Sequence, residues 1–305
     1  MKKDDGQAER WGDKQTTRKK YTFRLLLQNI QRLPLDRRNE KHEDLIHWLE
    51  KDGGDVAILT EINTYWPKVK PHQQWEERSE GLFPQGMKSR FCYNKTEEIP
   101  GNVQYGGIGA LALGETRHRI CGTGEDTAGL GRWTWLRYKG TGGTHLRVIG
   151  AYRPNPKGEG DQTVHAQHQR YLLRYADPRD PQVAFDQDLE KAIKTWSAAG
   201  NHLVVALDAN DDLRNGPVKR LMARQGLREV LLSKHKTKST VATFNRNTDH
   251  KPINDIFATR GIKVQAGGYY AFDEEVKSPH RALWVDIDFA SAFGSKLTHS
   301  EKVEA

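Results

Sequence analysis

Short apolar runs, most of them bounded by a polar residue, constrain this chain more than any other feature. The runs are Thr22–Gln28, Val56–Thr60, Ile108–Leu113, Trp133–Tyr138, Leu146–Tyr152, Leu203–Leu207, Ile256–Thr259 and Ala282–Phe289. Their length and their β-branched and aromatic content predict strands. Helical spacing predicts helices over Asn39–Lys51, Val164–Tyr175, Phe185–Ala199 and Pro217–Gln225, the last opened by a proline at its first turn. Strands and helices intermix, and some strand-to-strand gaps in mid-chain are short. That pattern argues for mixed sheets with helices outside rather than a purely parallel sheet.

Hydrophobic residues make up only 36% of the 305, against 29% charged, so the core must be concentrated in those runs. One domain is expected over residues 21–293. Residues 1–20 and 294–305 are polar and aperiodic, and are expected to be tails. No run approaches the roughly 18 apolar residues of a membrane span, and the N-terminus lacks the apolar core of a signal peptide. Cys92 and Cys121 show no CxxC or finger spacing, which argues against a disulfide framework and a structural zinc. An intracellular place, nuclear or cytoplasmic, is expected. The net charge of +8 favours a phosphate-rich partner such as nucleic acid, and DNA is the expected one once the chain's motifs are taken with it.

The polar residues at the run ends carry the chemistry. Asn29, Glu61, Tyr152, Asp208 and Asn210 stand at or just beyond the ends of apolar runs, whereas Asp255 and His280 precede them. Strand ends on one sheet edge converge, and strands running the opposite way would bring their starts to the same edge. Such a set suits phosphodiester hydrolysis. Glu61 and Asn29 offer oxygens to a hard cation, and Asp208 suits deprotonation of a water. Tyr152, Asn210 and a histidine offer donors to phosphoryl oxygens. Asp255 would pair with His280 and fix its tautomer. Taken singly, each has an ordinary reading as a turn former, a solvated edge residue or a satisfied core side chain. Their joint order is the signal.

That order resembles the endonuclease/exonuclease/phosphatase (DNase I-like) family. The segments are Leu27-Gln28-Asn29, Leu59-Thr60-Glu61-Ile62-Asn63, Ala151-Tyr152-Arg153-Pro154, Ala206-Leu207-Asp208-Ala209-Asn210, Ile253-Asn254-Asp255-Ile256-Phe257 and Ser278-Pro279-His280. They run from about residue 22 to residue 290, and their flavour is closest to the endonuclease domain of non-LTR retroelements. The resemblance implies a four-layer α/β sandwich and a Mg²⁺- or Mn²⁺-dependent hydrolase. It places Glu61 and Asn29 at the metal, Asp208 at the nucleophilic water, and Tyr152 and Asn210 at the scissile phosphate. Asp255 would orient His280. Pro279 stands where the family usually has Asp, which predicts weakened or altered metal binding.

Three readings share these motifs: an endonuclease nicking DNA, a phosphatase or phosphodiesterase of small phosphoesters, and a degenerate member that binds nucleic acid without turnover. Arg153 and the basic loop holding Lys234, Lys236 and Lys238 are candidate phosphate contacts. Trp133 and Trp135 share a strand face and are expected to be buried. His165 and His168 are expected on a solvated helix face, and Gly106-Gly107 at a tight strand entry.

Overall fold

The computed structural model describes residues 9–156, 158, 160–235, 241–245 and 251–294. The first half of the chain holds β1 (Trp11–Gly12), β2 (Thr22–Asn29), α1 (Glu40–Lys51), β3 (Val56–Thr60), α2 (Trp75–Ser79), β4 (Met87–Cys92), β5 (Ile108–Leu113), β6 (Ile120–Glu125), β7 (Trp133–Lys139) and β8 (His145–Tyr152). The second half holds α3 (Val164–Arg174), α4 (Pro181–Ala198), β9 (Asn201–Asp208), α5 (Pro217–Arg224), β10 (Leu227–Glu229), α6 (Leu231–Lys234), β11 (Asn254–Thr259), β12 (Val264–Tyr269), β13 (Leu283–Asp288) and α7 (Phe289–Phe293).

Two mixed sheets form, ordered β1-β12-β13-β2-β3-β5-β4 and β10-β11-β9-β8-β7-β6. Strand alternation sorts the side chains into layers. Leu25 and Leu27 of β2 meet Val148, Val204 and Ile256 of the second sheet in the central layer. Leu26, Leu59 and Trp284 face outward onto Leu45, Trp48 and Leu49 of α1. Ile149, Val205 and Phe257 face the opposite way, onto Phe185 and Leu189 of α4 and Met222 of α5. The result is the expected four-layer sandwich. Trp133 and Trp135 lie on that outer face, their rings edge-on to Phe185 and Trp196.

The pairing also places the site. β2 and β3 run parallel, as do β8 and β9, whereas β13 is antiparallel to β2 and β11 to β9. The C-terminal ends of four strands and the starts of two therefore share one end of the sandwich. No helix among the described residues is long and apolar enough to cross a membrane.

The proposed N-terminal tail needs correction. Residues 9–20 are part of the fold: β1 pairs antiparallel with β12, Gln15 Nε2 donates to the Tyr270 hydroxyl at 2.8 Å, and Arg18 pairs with Asp55. A lone Trp11 anchors the segment, its ring 5.5 Å from that of Tyr269. Residues 1–8 and 295–305 lie outside the described residues.

Candidate active site

Parity along the strands aims the polar residues between the sheets. Asn29 continues the inward series Leu25, Leu27; Asp208 continues Val204, Ala206; Tyr152 continues Leu146, Val148. The register sets Tyr152 and Asn254 on either side of Asp208. Glu61 follows β3 with a left-handed φ of 50°, a conformation few non-glycine residues hold without support. Support comes from both sides. The Glu61 carbonyl accepts from Arg32 N–H at 2.7 Å, and Ile62 and Asn63 donate to Gly107 and Gly106. Gly107 is required there, since a Cβ would lie 2.8 Å from the Cys92 carbonyl and its φ is +78°.

Two sets of hydrogen bonds hold these groups. Tyr152 Oη lies 2.7 Å from Glu61 Oε1 and 2.9 Å from Asn155 Oδ1. Asn29 Nδ2 donates to Asp208 Oδ2 at 2.7 Å, and Asn29 Oδ1 accepts from Gln31 N–H at 3.0 Å. Ser278 Oγ donates to the Asn29 carbonyl at 2.6 Å and accepts from His280 N–H. His280 Nδ1 lies 3.9 Å from Asp208 Oδ2. Glu61, Tyr152, Asn210 and His280 line a cleft of about 740 Å³. Asp208 and Asn29 lie fully buried behind its wall. A second groove, of about 570 Å³, carries Glu76, Glu77 and Glu80, charges that repel phosphate.

The histidine's partner is a correction. His280 Nδ1 is 3.0 Å from Asn254 Oδ1, so an amide holds the imidazole and not the Asp255 carboxylate. Neighbouring residues on a strand point to opposite sides, and the register sets Asn254 against Asp208 but Asp255 against Leu207. Asp255 lies instead beside Glu229 and Tyr269. Burial, then the Glu229 carboxylate, raises its pKa well above the usual carboxylate range. The sequence held the signal for Asn254, since it shares parity with the inward residues Ile256 and Ala258. Phe244, also missed, packs its ring tilted against that of His280, 4.6 Å between centres, from within a loop without periodicity.

Other assignments change too. Arg153 is buried and bidentate to Asp186 at 2.8 and 2.9 Å, so its guanidinium is committed to a carboxylate and not offered to phosphate. Lys234 Nζ lies 3.5 Å from Asp13 and is not on the cleft wall; Lys236 and Lys238 are outside the described residues. His165 and His168 are buried, bonded to Asp180 and to the Leu130 carbonyl, rather than solvated. Asn210 lines the cleft while its Nδ2 donates to the Arg153 carbonyl at 2.7 Å.

The electrostatics favour a cation. Burial pushes the Asp208 carboxyl up to about 6, against the hydrogen bond from Asn29. Burial, then the neighbouring Asp208, raises Glu61, opposed by His280 and Tyr152. Asp208 Oδ1 is buried with no hydrogen-bond partner. Two close carboxylates and an orphaned oxygen fit a bound divalent ion. Among the described residues, however, no group of three or more His, Cys, Asp or Glu is arranged to hold one. Pro279, buried and using its carbonyl to accept from Asn245 N–H, supplies no ligand where the resemblance expects a carboxylate. The fit is that of a sparse site completed by water and substrate, as Mg²⁺ accepts.

No protein-family model matches the sequence, and no curated protein does. Solved structures do match. An AP endonuclease from Leishmania major has a TM-score of 0.63 at 11% identity, covering 88% of each chain. A 3′ phosphatase from Neisseria, bound to product DNA hairpin, has a TM-score of 0.59 at 12% identity, covering 87% of this chain and 99% of the other. An endonuclease/exonuclease/phosphatase family protein from Leptotrichia buccalis has a TM-score of 0.58 at 15% identity, covering 88% and 100%. The fold is therefore DNase I-like. Identities this low leave the activity to be argued from the site.

Proposed function

We propose that the protein is a divalent-metal-dependent phosphodiesterase acting on nucleic acid, an endonuclease that nicks DNA. The observation that carries this reading is the convergence of Glu61, Tyr152, Asn29, Asp208 and His280 at one end of the two sheets, with Tyr152 bonded to Glu61, Asn29 bonded to Asp208 and His280 3.9 Å from Asp208. Glu61 and Asn29 would hold Mg²⁺ or Mn²⁺, which supplies charge neutralisation at the phosphoryl oxygens. Tyr152 orients the Glu61 carboxylate. Asp208, through its unpartnered Oδ1, accepts the proton of the attacking water. Asn210 and His280 meet the phosphate from the cleft wall. The basic surplus of +8 supports a polyanionic substrate over a small phosphoester. The kinship with retroelement endonucleases rests on the sequence motifs alone.

The test is supercoiled plasmid with Mg²⁺ or Mn²⁺, EDTA controls, and the His280→Ala variant. Nicking that needs the ion and falls at least about 100-fold in the variant supports the reading. Ion-independent nicking, or a variant as fast as wild type, refutes it.

One observation favours a second reading, a binding protein with little turnover. Asn254 orients His280 through a neutral amide oxygen, which stabilises an imidazolium less than a carboxylate in the same place would. Asn254→Asp is expected to raise the nicking rate about tenfold, through an imidazolium stabilised by a carboxylate additional to Asp208. Initial rates at neutral pH, with Pro279→Asp measured alongside, decide it. A wild type that is inert and a variant that cuts select the binding reading.

A further inference from the structure

Of the six buried arginines described (Arg24, Arg78, Arg132, Arg147, Arg153 and Arg281), five hydrogen-bond to a carboxylate or a carbonyl. Arg147 does neither. Its side chain lies on the outer face of β8, the residue only 6% exposed, with Nε and Nη1 buried and unpartnered. The guanidinium carbon sits 3.8 Å from the centre of the Trp135 ring and 4.9 Å from that of Trp196 on α4. Directly across the pair, on β7, stands Arg137, half-buried and with its own Nε orphaned.

Two like charges facing each other across a strand pair repel. Burying them without a counter-charge adds a desolvation cost. The cation–π stack offsets part of this and fixes Arg147 in place, but it neutralises neither charge. Burial, then Arg137, lowers the Arg147 pKa to about 10, which leaves its guanidinium cationic at neutral pH. Two guanidiniums paired across strands and without a carboxylate partner among the described residues offer the chemistry that recognises phosphate.

We infer that Arg137 and Arg147 form a second phosphate-binding site on the outer face of the second sheet, which takes the backbone of a nucleic acid beyond the segment held in the cleft. This rests on the nucleic-acid reading proposed above. Arg147 precedes Tyr152 by five residues on β8, about 17 Å along the strand. A duplex that leaves the cleft along the strand direction must therefore extend about five base pairs to reach it.

The experiment is fluorescence anisotropy in EDTA, so that no hydrolysis enters, with labelled DNA hairpins of about 8 base pairs and duplexes of about 30. The double variant R137Q/R147Q is expected to bind the long duplex about tenfold more weakly, with the slope of log affinity against log salt reduced by about one to two. The short hairpin should bind both proteins alike. R137Q alone, outside the aromatic stack, is expected to lose about threefold should the double variant fail to fold. Unchanged affinity and salt slope for the long duplex overturn the site, as does loss of binding to polyglutamate alone. Failure of the hydrolysis assay leaves this binding result standing, so the two readings fail separately.

Discussion

Asp208→Asn is expected to abolish nicking, with a loss of about 1,000-fold, while making the ion-free protein more stable. The two effects share one cause. Asp208 is fully buried, and its carboxyl titrates near 6 in the fold against 3.8 when exposed. A folded-state value above the unfolded one means that the fold prefers the neutral acid. Stability associated with this group is therefore complete below about 3.8 and is lost as pH rises through about 6. The difference corresponds to roughly 3 kcal/mol. Asparagine is neutral throughout, keeps an oxygen for Asn29 Nδ2, and never incurs the penalty. In EDTA, melting should thus show variant and wild type close together at about pH 4 and the variant higher by several degrees at about pH 8. An equal difference at both pH values, or cleavage within tenfold of wild type, takes the base role away from Asp208.

Glu61→Gln should be the second large effect. The carboxylate lines the cleft and is the one that Tyr152 holds directly. Glutamine keeps the length and an oxygen for the Tyr152 hydroxyl, so the left-handed turn at residue 61 is retained and only the charge is removed. The ion concentration for half-maximal nicking should rise at least tenfold and the maximal rate fall about 100-fold. Titrating Mn²⁺ against nicking rate reads both quantities. Wild-type ion dependence in the variant would place the cation elsewhere.

Much of this was legible in the sequence where strands are buried on both faces. Val56–Thr60 and Ile108–Leu113 were bounded to the residue, because every position in them is buried and apolar or β-branched enough to read as a strand. The missed strands are less clearly apolar. Met87–Cys92 and Ile120–Glu125 form the outer edges of their sheets, leave most positions partly exposed, and carry Lys, Arg, Gly and Glu. Val264–Tyr269 carries a glycine pair that closes against Trp284 and Trp11. At the site, residue types and order pointed to one shared sheet end for Asn29, Glu61, Asp208 and His280, and the strand register places them there. The error at Asp255 came from matching a motif by letter where strand parity, already available from Ile256, selects Asn254. Arg153 was misjudged because its partner Asp186 is 33 residues away on α4, a pairing that only the fold creates.

The two-residue strand at Trp11–Gly12 has a practical bearing. It covers part of the free edge of β12, and Gly12 fits there because a Cβ would meet the Gly267 carbonyl and Gly268 Cα at 2.8 Å. A shortened protein begun at Tyr21, the boundary that composition suggests, would bare that edge and leave Glu274 and Asp55 without the arginines that pair with them. Bare strand edges recruit other strand edges. Self-association or poor yield of such a fragment would then report a missing piece of sheet and say nothing about the integrity of the cleft.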